Sequence, residues 1–167
     1  SFHKEASYDA QSRLALKAAR HLLSTRLREV LREDLSGVYG VGVRASIGRF
    51  PVELATGMIN FGCNPDRVDE LMTATFDVIT ALSSDEIDPH YLENFKEQER
   101  RGWETDHKRN SYWQGVMTRA FWSGEPLSEL AQEEARLDAL NAEDVRAALT
   151  HLFTAEGHRS AVLLPKE

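Results

Sequence analysis

An α+β fold, with an antiparallel sheet covered by helices, is predicted by three observations on this sequence. Residues 8–35 carry a helical period, residues 38–47 alternate directly after them, and the later apolar residues fall into four or five short helical stripes. Together they describe a long helix, a hairpin and a helical second half.

The first helix is read from Leu14, Ala18, Leu22 and Val30 and from Leu16, Leu23, Leu27 and Leu31. These recur at close to 3.6 residues, with Arg13, Lys17, Arg20, Arg26 and Arg28 between them. Basic residues near its end suit the helix dipole, and Gly37 is the residue expected to take the left-handed conformation that stops it. From Val38 to Ile47 the pattern changes to a period of two. Tyr39, Val41, Val43, Ala45 and Ile47 then share one face, and Gly40, Gly42, Arg44 and Ser46 the other. Glycines at 40 and 42 mark either a bulge or a close approach of another backbone. A turn at Gly48-Arg49-Phe50-Pro51 returns the chain as an antiparallel partner strand, Val52 to Cys63.

Asn64-Pro65-Asp66 starts the next helix, with asparagine as cap and proline in the first turn, and Asp88-Pro89 starts another in the same way. Within the second, Lys96 to Arg101 reads as a solvated face of paired charges. Asn110-Ser111 opens an aromatic helix closed by Gly124 and Pro126, a further helix spans Leu127 to Leu137, and Asn141 caps a last one that Gly157 ends. Arg159 to Leu164 is expected as a closing strand. Three strands are few for so many helices, so the pattern expects first strands upstream of Ser1, outside this sequence, or a sheet edge completed by a neighbour.

Composition bounds the function. The 167 residues suit a single domain, and 41% hydrophobic with 28% charged residues is a globular balance. A net charge of -7 offers no general attraction to nucleic acid or to an anionic membrane. No apolar run approaches the roughly 20 residues of a membrane span. Ser1-Phe2-His3-Lys4 has no apolar region behind it, so no signal peptide is expected and the chain reads as a cut piece. One cysteine, Cys63, excludes an internal disulfide, and periplasmic and cytoplasmic placement stay equally open.

The segment Leu31-Arg32-Glu33-Asp34-Leu35-Ser36-Gly37-Val38-Tyr39-Gly40-Val41 resembles the pitrilysin and insulin-degrading-enzyme family of zinc peptidases, the inverzincins, in their non-catalytic half. The Cys63-Asn64-Pro65 helix entry and the Leu163-Leu164-Pro165 ending support the same likeness. The resemblance implies the metalloprotease repeat domain also found in LuxS and mitochondrial processing peptidase. Residues 1–167 would be one domain, the C-terminal portion of the last of four such repeats. It also implies that Arg32 binds substrate and that Tyr39 both binds substrate and donates to the oxyanion, in trans to a zinc bound outside this chain. The implied partners are other domains of the same polypeptide or a homologous zinc-bearing subunit, together with peptide substrate.

Without the resemblance the corner has plainer readings. Arg32 near a helix end pairs with Glu33, Asp34 or free carbonyls, and strand parity makes Tyr39 a core residue.

The rest of the sequence offers little competing chemistry. The family's His-x-x-Glu-His is absent; the nearest match is His90-Tyr91-Leu92-Glu93-Asn94, where asparagine replaces the second histidine. His3, His21, His107, His151 and His158 show no ligand spacing and read as surface or helix-end histidines. Cys63 reads as a structural thiol. No nucleophile elbow is present, and Gly37 to Gly42 lacks the lysine and following helix of a phosphate loop. The resemblance implies two functions: the distal domain of a zinc metalloendopeptidase that is not catalytic alone, or a scaffold or peptide-binding subunit of an inactive family member; were the likeness at Leu31 to Val41 chance, the chain would read as an unrelated α+β interaction domain.

Overall fold

The computed structural model describes residues 1–164, so Pro165, the last residue of the ending named above, lies outside them. Those residues form two compact units, 1–87 with 143–164, and 88–142.

In the first unit, strand β1 (Phe2–Glu5) leads into helix α1 (Ala10–Leu27). Asp9 caps that helix by accepting from the Ser12 backbone N–H at 2.8 Å. Partial burial raises the Asp9 carboxyl pKa, but hydrogen bonds from Ser12 and Gln11 and the charge of Arg13 outweigh it and hold the group below its usual range. The chain continues as a π-helical segment over Arg28–Asp34, then enters the hairpin β2 (Val38–Gly48) and β3 (Leu54–Cys63). After a 3-10 turn at Pro65–Arg67 comes α2 (Val68–Ser84), and α6 (Ala142–Leu152) completes the unit.

The sheet runs β1-β3-β2, antiparallel throughout. Helix α1 lies against β2, and α2 against both α1 and the π segment. Leu16, Leu22, Leu23, Leu27, Leu31 and Leu71 are buried among them. On the edge strand β1, Phe2 meets Phe153 edge to face at 5.1 Å. A Cβ at Gly57 would come within 2.9 Å of the Phe153 ring, so this part of the core needs glycine in β3.

The second unit holds α3 (Pro89–Asp106), α4 (Asn110–Ser123), a 3-10 stretch at Leu127–Gln132 and α5 (Glu133–Ala139). Its buried apolar residues include Phe95, Val116, Leu137 and Leu140. The charged run on α3 is exposed or half-buried and paired, as expected: Arg101 with Glu97, Arg100 with Asp138, and Lys96 with the Asp138 carbonyl at 3.0 Å.

The α+β class holds, with three corrections to the elements. The third strand is Phe2–Glu5, and residues 159–164 form no ladder. Arg159 exchanges backbone hydrogen bonds with Ser1, and after that pair Val162, Leu163 and Leu164 are exposed. An isolated pair holds only the first residue of the segment, which is why its apolar pattern does not become a strand here. Second, α1 does not stay α-helical to Leu35 but widens after Leu27. Third, the last helix ends at Leu152, although Gly157 is left-handed at φ 75°.

Candidate functional site: a helix-to-strand corner

Between Arg32 and Tyr39 the chain stops a helix, turns and starts a strand. The π segment ends with wide hydrogen bonds: Leu35 N–H to the Val30 carbonyl at 3.0 Å, and Gly37 N–H to the Leu31 carbonyl at 2.9 Å. Ser36, not Gly37, takes the left-handed conformation, at φ 48°. Glycine is needed at 37 for a different reason. A Cβ there would stand 2.5 Å from the Leu71 Cδ2 atom, so the turn passes directly over the first turn of α2.

The strand then departs from simple alternation. Val38 pairs with Cys63 and Val41 with Phe61, so Tyr39 and Gly40 together oppose Gly62. One extra residue in β2 is a β-bulge, and a bulge redirects the side chain it carries. Val38 and Val43 are therefore both buried while Tyr39 between them is 100% exposed. Parity alone places Tyr39 with Val41 and Val43 on a core face; the bulge removes it from that face. Gly40 and Gly62 have open space where a Cβ would be, leaving the surroundings of the phenol clear.

Arg32 is exposed on the helical arm of the corner. Among the described residues it makes no ion pair with Glu33 or Asp34, and the Tyr39 hydroxyl makes no hydrogen bond. Both proposed site residues thus stand in solvent on the two arms of one corner.

A residue not singled out from the sequence joins the corner from the start of α2. Arg67 donates from Nη1 to the Leu35 carbonyl at 3.2 Å. Its Nε and Nη2 donate to the two Glu70 carboxylate oxygens at 2.8 and 2.6 Å, a bidentate fork. The Glu70 hydrogen bonds raise the Arg67 pKa, and the same fork lowers that of Glu70. The signal in the sequence was the spacing of Arg67 and Glu70 one helical turn apart; the carbonyl 32 residues earlier in the chain left none.

The other candidates engage neighbours of their own. Cys63 is half-buried at the end of β3 and free. At the start of α3 the His90 Nε2 atom is engaged by the Asn94 side-chain amide at 2.9 Å, so the asparagine that replaces a metal ligand is bonded to the histidine itself. His151 bonds the Glu5 carbonyl at 2.7 Å, and His158 the Ala155 carbonyl at 2.7 Å. Among the described residues no three His, Cys, Asp or Glu side chains converge as a metal site, and the donors there do not fit zinc. Among them, too, no helix is long and apolar enough to cross a membrane.

Comparison with known proteins agrees with this architecture. The family described as the peptidase M16 inactive domain matches residues 1–99, a span that contains Arg32, Tyr39, Arg67 and Glu70. The chain is 24% identical over 156 residues to the probable zinc protease PqqL of Escherichia coli, covering 93% of this chain and 17% of that protein. The crystal structure of the periplasmic protease PqqL from Escherichia coli superposes with a TM-score of 0.78 at 22% identity, over 90% of this chain and 17% of that one. A mutant of the ferredoxin protease FusC, in complex with Arabidopsis ferredoxin, gives 0.78 at 20% identity, over 91% and 17%. The chain thus spans about a sixth of the length of these relatives.

Proposed function

This chain belongs to the peptidase M16 inactive-domain family, and from that premise we propose that it is the distal domain of a zinc metalloendopeptidase. In this reading it encloses peptide substrate and supplies Arg32 and Tyr39 to a zinc site in another domain of the full-length protein or in a homologous subunit. The observation that carries the reading is the bulge, which puts a phenol wholly into solvent on a strand where Val38 and Val43 are buried. An exposed tyrosine beside two open glycines has no packing role, whereas a donor to a reacting group needs that clearance.

The chemistry follows from the two side chains. As a scissile carbonyl becomes tetrahedral, negative charge gathers on its oxygen. The Tyr39 hydroxyl donates a hydrogen bond to that oxygen, and one such donor lowers the barrier by about 3 kcal/mol. Arg32 offers a planar fork of donors to substrate carbonyls, which holds the peptide in register and reduces the entropy cost of aligning the reacting bond. Zinc, when bound in its own domain, supplies the activated water. Among the described residues nothing replaces it. The ferredoxin protease among the structural neighbours supports a substrate derived from protein.

A second reading is a scaffold or peptide-binding subunit of an inactive family member; the description of the matched family as an inactive domain fits both readings. Peptide hydrolysis by the full-length protein separates the two. With Tyr39→Phe, turnover is expected to fall about a hundredfold with KM unchanged, the signature of an interaction made only in the transition state. Unchanged turnover would reduce the corner to a surface feature. A full-length protein that hydrolyses no peptide would favour the scaffold.

A further inference from the structure

We propose that Arg67 is the positioning residue of this site: by holding the Leu35 carbonyl it sets where the Tyr39 arm leaves the Arg32 helix. The proposal rests on the reading of the corner given above.

Leu35 is the hinge between the two arms, three residues after Arg32 and four before Tyr39. Its carbonyl lies at a helix end, where main-chain acceptors have no partner within the helix. Immediately afterwards Ser36 adopts a left-handed backbone, which a residue with a Cβ does not choose unaided. The direction of the strand therefore depends on what restrains Leu35 and Ser36 from outside.

Two restraints come from the start of α2. Leu71 lies beneath Gly37, leaving no room for a Cβ and limiting how far the turn can drop. Arg67 reaches the Leu35 carbonyl from the side. The guanidinium is not free to swing, because Glu70 holds Nε and Nη2 through both carboxylate oxygens and leaves Nη1 aimed at the carbonyl. The geometry needs arginine in particular. A lysine ammonium can reach either Glu70 or Leu35 but lacks the planar fork that serves both in fixed directions.

An oxyanion donor acts only when its hydroxyl is already in place, and misplacement by about 1 Å costs on the order of a hundredfold in rate. A small change at Leu35 is carried outward along the strand to the Tyr39 phenol. Arg67 therefore acts on turnover through Tyr39, without touching substrate.

The experiment is a double-mutant cycle on peptide hydrolysis by the full-length protein. It compares wild type, Arg67→Gln, Tyr39→Phe and the double variant, with Arg67→Lys and Glu70→Gln alongside. Arg67→Gln is expected to lower kcat about tenfold at unchanged KM, yet less than about twofold when Tyr39 is already phenylalanine, because the coupled partner is gone. Arg67→Lys should recover only part of the loss. Glu70→Gln leaves Arg67 present but loosened and should lower kcat in the same direction, which keeps the test informative if Arg67→Gln does not fold.

The proposal is overturned if Arg67→Gln leaves kcat unchanged while Tyr39→Phe lowers it; the reading of the corner then survives alone. It is also overturned if the Arg67→Gln loss is equal in both backgrounds, or only follows a falling fraction of folded protein, as a plain structural residue would show. A silent Tyr39→Phe, or a full-length protein without hydrolysis, overturns both readings.

Discussion

Two helices in this chain begin with nearly the same grammar and end with different roles. At the first, Asn64-Pro65-Asp66-Arg67 leads through Glu70 to Leu71; at the second, Asp88-Pro89-His90-Tyr91 leads through Asn94 to Phe95. In each the cap side chain accepts a backbone N–H two residues on, from Asp66 at 3.1 Å and from His90 at 2.9 Å. Each has proline in its first turn, and the apolar residue seven positions after the cap is buried. Only the polar residues between differ in use. Arg67 and Glu70 form a fork that reaches a distant carbonyl, while His90 and Asn94 bond each other. The second start looks more like chemistry in the sequence, because it approximates a metal motif. The first matters more to the proposed site, because another segment of chain lies over it.

Removing the buried residue from each start is the strongest way to separate the two. Leu71→Ala is expected to cost about 2–5 kcal/mol and Phe95→Ala about 3–5 kcal/mol in equilibrium urea unfolding, both by leaving a cavity. Only Leu71→Ala should also lower the turnover of the folded protein, since only Leu71 supports the turn at Gly37. Equal loss of turnover from both would erase the distinction. Cap removal is gentler: Asn64→Ala and Asp88→Ala should each cost about 1 kcal/mol, read as a lowered urea midpoint.

Acid supplies the smallest and most selective test. The Arg67 fork keeps the Glu70 carboxyl below its usual value of 4.5 in the folded protein. A carboxyl depressed by folding adds stability that is present above the unfolded value and lost as pH falls through the folded one. Stability should therefore drop more steeply below about pH 4.5 in wild type than in Glu70→Gln, as followed by thermal melts from about pH 5 to about pH 2. Discounted for solvent screening, the difference is a slight one. Asn94 has no charge to lose, and Asn94→Ala should leave the acid limb as it was.

Much of the molecule is legible along the chain. The helical period from Leu14 to Leu31, both Asx-Pro starts, the hairpin and the left-handed glycine after α4 all come from contacts within a few residues or from simple periodicity. Arg32 and Tyr39 are named from the spacing of a family resemblance. Residues 159–164 mislead because an apolar run says nothing about whether a partner strand lies beside it, and Phe2–Glu5 escapes notice because four residues are too few to show a period.

By itself the sequence determined which residues become helix, which become hairpin, and where the chain turns between Arg32 and Tyr39. Caps, proline, glycine and apolar spacing act locally and need no knowledge of distant neighbours. The tertiary structure alone decided that Ser36 takes the strained conformation, that Tyr39 leaves the core face and that Arg67 holds the corner. Each depends on residues far apart in the chain being brought together: Gly62 opposite the bulge, Leu71 beneath Gly37, and Arg67 against Leu35. An inserted residue in a strand reverses parity only once the ladder is paired, and a carbonyl is capped only once the capping side chain arrives.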